Sequence, residues 1–148
     1  MISAPGIEPT DVAVADSLTP VRAAATRGRV LVVEDDAAIR VMLSDLLNDA
    51  GYAVLEASTG KEALRRLREQ APDVIVLDLM LPELSGWEFL NRARQQPGGL
   101  QAPVVVLSAI AGKSDYPSAL GVAGWFTKPL NVDAFLSTLG RLGSSLSY

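Results

Sequence analysis

The sequence predicts an α/β domain, doubly wound, in which a five-stranded parallel sheet carries helices on both faces. Three observations predict it. Short, β-branched apolar runs such as Val30-Leu31-Val32-Val33 and Val74-Ile75-Val76-Leu77 read as strands covered on both sides. Segments with apolar residues at helical spacing alternate with them, which calls for crossover connections and therefore parallel strands joined right-handedly. The chain has 148 residues, 49% hydrophobic and 20% charged, so it has room for one such core and a short extra segment.

The elements follow in order. The first strand ends abruptly in Glu34-Asp35-Asp36, and Ile39, Met42, Leu43, Leu46 and Leu47 then recur at helical spacing until Asn48 to Gly51 supplies a polar and glycine stop. Ala53 to Ala57 reads as the second strand, Lys61 to Glu69 as a helix with Leu64 and Leu67 inward, and Val74 to Asp78 as the third strand. A third helix near Trp87 to Arg94 is broken by Pro97-Gly98-Gly99. Val104 to Ser108 is the fourth strand and Trp125 to Thr127 the fifth, while Phe135, Leu136, Leu139 and Leu142 give the closing helix its apolar face. Between the last two strands, Pro117 with Gly112, Gly121 and Gly124 leaves the stretch from Ile110 to Gly124 a weak helix, or only a turn or so of one. Residues 1–28, with Pro5, Pro9 and Pro20 and no sustained period, read as a flexible tail that is either without a role or a partner-binding arm. The domain proper is expected over residues 29–142, with 143–148 as a short C-terminal tail.

Composition removes many function classes. Cysteine and histidine are both absent, which excludes disulfides, thiol nucleophiles, thiolate or imidazole metal sites, Ser/His triads and a phosphohistidine of the chain's own. A net charge of −4 repels phosphate backbones and anionic lipid, so no direct nucleic-acid or membrane binding is expected. Met1 to Gly28 lacks a basic stretch followed by an apolar run and is not read as a secretory signal, and no segment resembles a membrane span. The expected location is the cytoplasm.

In a doubly wound fold, ligands sit beyond the carboxyl ends of the strands. Those ends carry Glu34 and Asp35, then Asp78, Ser108 and Lys128. With the first strand central and the third beside it, Glu34, Asp35 and Asp78 converge. At roughly 4 Å and an effective dielectric near 20, each like-charge pair costs about 4 kcal/mol, so a proton or a cation must offset the repulsion. An all-oxygen site with few protein ligands suits Mg²⁺ better than Ca²⁺. Lys128 can pair with a carboxylate at rest and with a phosphoryl oxygen afterwards, and the Ser108 hydroxyl can donate to another phosphoryl oxygen.

The segments Val32-Val33-Glu34-Asp35-Asp36, Val76-Leu77-Asp78-Leu79-Met80-Leu81-Pro82, Ser108-Ala109 and Lys128-Pro129 resemble the response-regulator receiver family, with Gly86 after Pro82 as that family also has it. The resemblance covers about Arg29 to Leu142 and implies the CheY-like, flavodoxin-like topology. It implies that Asp78 accepts a phosphoryl group from a histidine kinase, a histidine phosphotransfer protein or a small acyl phosphate. Glu34, Asp35, Asp78 and the backbone carbonyl of Met80 would hold Mg²⁺, Lys128 would bind the phosphoryl group, and the Lys128-Pro129 bond resembles the family's cis peptide. Ser108 and Trp125 fall at the family's switch positions, where added negative charge draws the serine loop inward and the aromatic ring follows, altering a face read by a downstream protein. Each residue also has a plainer reading. Ser108 fits a turn, Trp125 fits the core, and Asp36 reads as a solvated carboxylate or a helix cap. Met80 and Ile110 stand where the family tunes hydrolysis, and their apolar side chains cannot orient a water, which predicts slow self-dephosphorylation.

Two enzyme-like alternatives fail on chemistry. A phosphatase of the haloacid dehalogenase type needs a second Asp where Met80 stands. A flavin binder needs a Ser/Thr/Gly phosphate loop where Glu34-Asp35-Asp36 stands. The expectation is therefore a phosphoacceptor regulator rather than a metabolic enzyme, the alternative being a receiver-like interaction module that works without phosphorylation. About six residues follow Leu142, so no output domain is expected in this chain and signalling would proceed by protein contact. Dimerisation is left open.

Overall fold

The valine-rich runs become the interior of a sheet. The computed structural model describes residues 27–109 and 122–146, with side chains as far as Leu142. The strands are β1 (Arg29–Val33), β2 (Ala53–Ala57), β3 (Val74–Leu77), β4 (Val104–Ser108) and β5 (Val122–Thr127), and the helices are α1 (Ala37–Asp49), α2 (Gly60–Glu69), α3 (Gly86–Gln95) and α4 (Val132–Leu146). All pairings are parallel, in the order β2-β1-β3-β4-β5. The third strand, not the first, therefore lies at the middle, while the adjacency of first and third strands is as expected.

Composition explains that order. Val30 to Val33 of β1 and every residue of β3 and β4 are buried, whereas the edge strands β2 and β5 are mostly half-exposed and admit Glu56, Gly124 and Thr127. Side chains alternate across the pleat. Leu31, Val33, Ile75, Leu77, Val104 and Val106 pack with Ala63 of α2 and Phe89 and Leu90 of α3. On the other face, Val30, Val32, Val74, Val76, Val105 and Leu107 pack with Leu43 and Leu47 of α1 and with Phe135 and Leu139 of α4. The sheet is thus covered on both sides, as the uninterrupted apolar runs require.

Helix starts are set by side-chain caps. Asp36 accepts from the N–H of Ala38 at 2.9 Å and of Ile39 at 3.2 Å, which resolves its two readings in favour of the cap. Thr59 accepts from the N–H of Glu62 at 3.0 Å while the Glu62 carboxylate accepts from the N–H of Ser58 at 2.8 Å, a reciprocal arrangement that holds the Glu62 carboxyl below its ordinary range. Ser85 caps α3 through the N–H of Glu88.

Boundaries differ from the sequence reading at four places. Asp78 lies just past β3 rather than inside it. β5 starts at Val122, inside the stretch read as a weak helix, because Val122 to Gly124 pair with Val104 and Val105 through a local register shift. Residues 110–121 of that stretch, including Ile110, and residues 1–26 of the expected tail lie outside the described residues. Arg27 and Gly28 belong to the sheet margin: the Arg27 N–H donates to the Gly51 carbonyl at 2.7 Å, and the Gly28 carbonyl accepts from Ala53 at 2.9 Å. α4 continues to Leu146, four residues past the expected end of the domain.

Gly86 opens α3 against the segment that follows β3. A Cβ on it would lie 2.7 Å from the Leu79 Cα and 2.9 Å from the Asp78 carbonyl oxygen, both backbone atoms with nowhere cheap to go. Gly86→Ala is therefore expected to destabilise the fold by about 1–3 kcal/mol, read as a lower urea midpoint with an unchanged slope.

Candidate functional site

The hydrogen-bond ladder runs one residue beyond several strands and fixes the backbone of the site. Glu34 N–H donates to the Ala57 carbonyl at 3.0 Å, Asp78 N–H to the Val33 carbonyl at 3.0 Å, and Lys128 N–H to the Ser108 carbonyl at 2.8 Å. Three side chains from three strand ends are thereby brought together on a frame continuous with the core. The peptide bond that follows, Lys128-Pro129, is cis.

Glu34 and Asp78 are buried, Asp35 is exposed, and one carboxylate oxygen from each lies within 4.8 Å of the others. Lys128 Nζ donates to Glu34 Oε1 at 2.9 Å and to Asp78 Oδ2 at 3.3 Å. The remaining oxygens of the buried pair are also held: Asp36 N–H donates to Glu34 Oε2 at 3.1 Å, and Met80 N–H donates to Asp78 Oδ1 at 2.9 Å. The Met80 side chain is exposed, so the residue meets the site through its backbone. Two clefts of the described surface, of about 470 and 460 Å³, are lined by other residues.

One ammonium faces three carboxylates. Burial pushes the Glu34 carboxyl up to about 7, with the Asp78 charge adding to the rise and the bonds from Lys128 and Asp36 pulling against it. Burial works to lower Lys128, but its bonds to Glu34 and the charges of Glu34 and Asp78 outweigh that, and the ammonium is held above its ordinary range. The lysine accordingly stays charged, and burial, more than the neighbouring charge, is what makes an ionised Glu34 costly. A proton on Glu34 relieves that cost, and so does a hard, oxygen-preferring cation.

The structure brings Glu34, Asp35, Asp78 and Lys128 together, while Met80 meets Asp78 through its N–H rather than through the carbonyl expected at the metal. Ser108 is fully buried at the end of β4, next to β3. The Trp125 ring packs against the α2 and α3 face, 6.3 Å from the Trp87 ring and tilted by 35°. Arg40 is the residue that sequence reasoning missed. Its Nη1 donates to the Glu34 carbonyl at 2.9 Å and its Nε to Glu56 Oε1 at 3.2 Å. The available signal was its spacing, four residues after the cap Asp36 and so on the same helix face.

The chain is similar to known proteins in sequence and in fold. The family model described as "Response regulator receiver domain" matches residues 30–139. The transcriptional regulatory protein KdpE of Mycobacterium tuberculosis is 46% identical over 112 residues, which cover 74% of this chain and 48% of that protein. The chain thus spans about half the length of that relative. Chemotaxis protein CheY4 of Vibrio cholerae superposes with a TM-score of 0.71 at 37% identity, covering 77% of this chain and 97% of that one. TrrA of Thermotoga maritima, solved in complex with Mg(2+)-BeF, superposes with a TM-score of 0.69 at 28% identity over 77% of this chain and 97% of its own. With a family model matched over residues 30–139 and the same fold found in these solved structures, the chain belongs to the response regulator receiver domain family.

Proposed function

We propose that this chain is a phosphoacceptor of a two-component or phosphorelay system, and that Mg²⁺-dependent phosphorylation of Asp78 switches a protein-interaction face. The observation that carries the reading is Asp78 itself. It is a buried carboxylate whose two oxygens are separately held by Lys128 and by the Met80 N–H, beside two further carboxylates. Such a group is oriented for in-line attack. An Asp78 oxygen forms a bond to phosphorus as the donor's P–N bond breaks, or its P–O bond in an acyl phosphate, leaving an aspartyl phosphate and the freed donor.

Glu34, Asp35, Asp78 and the Met80 backbone carbonyl would hold the Mg²⁺, and the TrrA complex with Mg(2+)-BeF supports its use. When bound, the ion supplies charge neutralisation and a template for phosphoryl oxygens. Lys128 keeps Asp78 and Glu34 together at rest and afterwards pairs with the phosphoryl group. Ser108 donates its hydroxyl to a phosphoryl oxygen, and the Trp125 ring is the part that moves in response. The donor is a histidine kinase or a histidine phosphotransfer protein, and the output is a protein target rather than nucleic acid or membrane. Among the described residues no helix is long and apolar enough to cross a membrane. We place the protein in the cytoplasm, on its likeness to receivers such as CheY4.

Intact mass after incubation with acetyl phosphate tests the reading. The expected result is one phosphoryl increment that requires Mg²⁺, is lost with hydroxylamine and is missing in Asp78→Asn. An unmodified wild-type chain, with acetyl phosphate and with candidate kinases alike, would instead favour an interaction module that works without phosphorylation.

The apolar Met80 side chain, 58% exposed, offers no group to orient an attacking water. Met80→Asn combined with Ile110→Glu is expected to shorten the phosphoryl half-life severalfold, followed by loss of the mass increment with time.

The raised Glu34 carboxyl gives a pH dependence with a definite sign. The folded chain holds this proton up to about pH 7 while the unfolded chain releases it near 4.5. The contribution to stability is therefore full below 4.5 and is lost as pH rises through 7. Without Mg²⁺, urea stability is expected to fall on the order of 1–3 kcal/mol from this group across that window. Glu34→Gln is expected to flatten the curve.

A further inference from the structure

We infer that Arg40 is a positioning residue for the acidic pocket, because its guanidinium fixes the peptide plane that leads into Asp35. The inference rests on the proposed Mg²⁺ site and concerns how this chain shapes it. Asp35 is the exposed member of the set, so core packing does not orient it. Both peptide planes that flank it are nevertheless held. On the preceding side, Arg40 Nη1 donates to the Glu34 carbonyl at 2.9 Å. On the following side, the Asp36 N–H donates to Glu34 Oε2 at 3.1 Å. A peptide unit is planar, so a fixed carbonyl on one side and a fixed N–H on the other leave the Asp35 Cα–Cβ direction little freedom. The backbone thereby sets the direction in which the exposed side chain leaves the chain, and only its χ rotations remain to place the carboxylate.

Arg40 is well placed to do this. It lies one turn into α1, its own N–H donating to the Asp36 carbonyl at 2.9 Å, and helical side chains lean toward the N-terminus, back over Glu34. Its second anchor is Glu56 on β2, reached by Nε at 3.2 Å. The Glu56 carbonyl in turn accepts from Arg66 Nε at 3.1 Å. The rigid fork thus spans from the β2 edge to the turn after β1, and its plane is set at both ends. The Arg40 side chain is 19% exposed and Glu56 43%, so the ion pair itself is partly screened by solvent and the bond to the Glu34 carbonyl is the anchor that matters for Asp35. A lysine could satisfy one of the two acceptors with its ammonium but has no fixed fork for both.

Calorimetric titration of the full chain with MgCl₂, together with thermal unfolding of each variant, tests the inference. Arg40→Ala is expected to weaken Mg²⁺ binding about 10- to 100-fold, as for groups that orient a metal ligand from behind, and Arg40→Lys to fall between it and wild type. Arg66→Ala loses the bond to the Glu56 carbonyl and the 3.7 Å ion pair with Glu62, and removes neither acceptor of Arg40. It is expected to lower Tm and leave Mg²⁺ affinity unchanged, a separation that general loosening of the β2 edge would not produce. A folded Arg40→Ala chain with wild-type Mg²⁺ affinity would overturn the inference, as would equal losses in Arg40→Ala and Arg66→Ala. Should Arg40→Ala fail to fold, wild-type affinity in Arg40→Lys overturns it. A wild-type chain that binds no Mg²⁺ refutes the proposed site itself, a result distinct from either.

Discussion

The ammonium of Lys128 is what lets two buried carboxylates share one end of the sheet. It reaches Glu34 across 94 residues of sequence and Asp78 across 50, so it is also a point where distant parts of the chain are tied. A buried ion pair of this kind is no guarantee of stability, since desolvating the charges opposes their attraction. Here the balance is further tilted, because Asp35 adds a third carboxylate to the cluster. The site is best understood as a local electrostatic burden carried by an otherwise apolar sheet. That burden gives it an appetite for a proton, a cation or a phosphoryl group held by one.

The sheet can carry it because the three interior strands are almost wholly Val, Leu and Ile, buried on both faces. Glu34 and Asp78 join the ladder by their own N–H groups immediately after those runs end. Their backbone is therefore tied directly to the core strands on which they follow. Ser108 and Trp125 stand on β4 and β5, on the far side of β3 from Glu34. Lys128, just past β5 and bonded by its N–H to the Ser108 carbonyl, ties those two strands to the carboxylates at the ends of β1 and β3.

The sequence was most legible where one property decided the outcome. Uninterrupted apolar runs gave the interior strands and their parallel arrangement, and the residues that stop those runs gave the acidic set and Lys128. The edge strands were less legible. Val122 and Gly124 pair with β4, Ala123 falling at the register shift between them, although the glycines and Pro117 of that stretch spoke against regular structure. The pairing comes from β4, not from any local preference of the segment. Arg40 escaped notice for a different reason. A basic residue on a helix reads as solvated, and only the cap at Asp36 and the neighbouring β2 strand give its guanidinium two acceptors. Its role exists in three dimensions alone.

The contact between Trp87 and Trp125 has a consequence of another kind. These are the two tryptophans of the chain, and their rings lie 6.3 Å apart, one on α3 and the other on β5. α3 begins at Gly86, packed directly on the backbone of Asp78 and Leu79. The protein's entire indole signal therefore originates at one junction, between the helix that abuts the acidic loop and the strand that leads to Lys128. Ultraviolet emission, usually an average over scattered rings, becomes in this chain a local gauge of one interface.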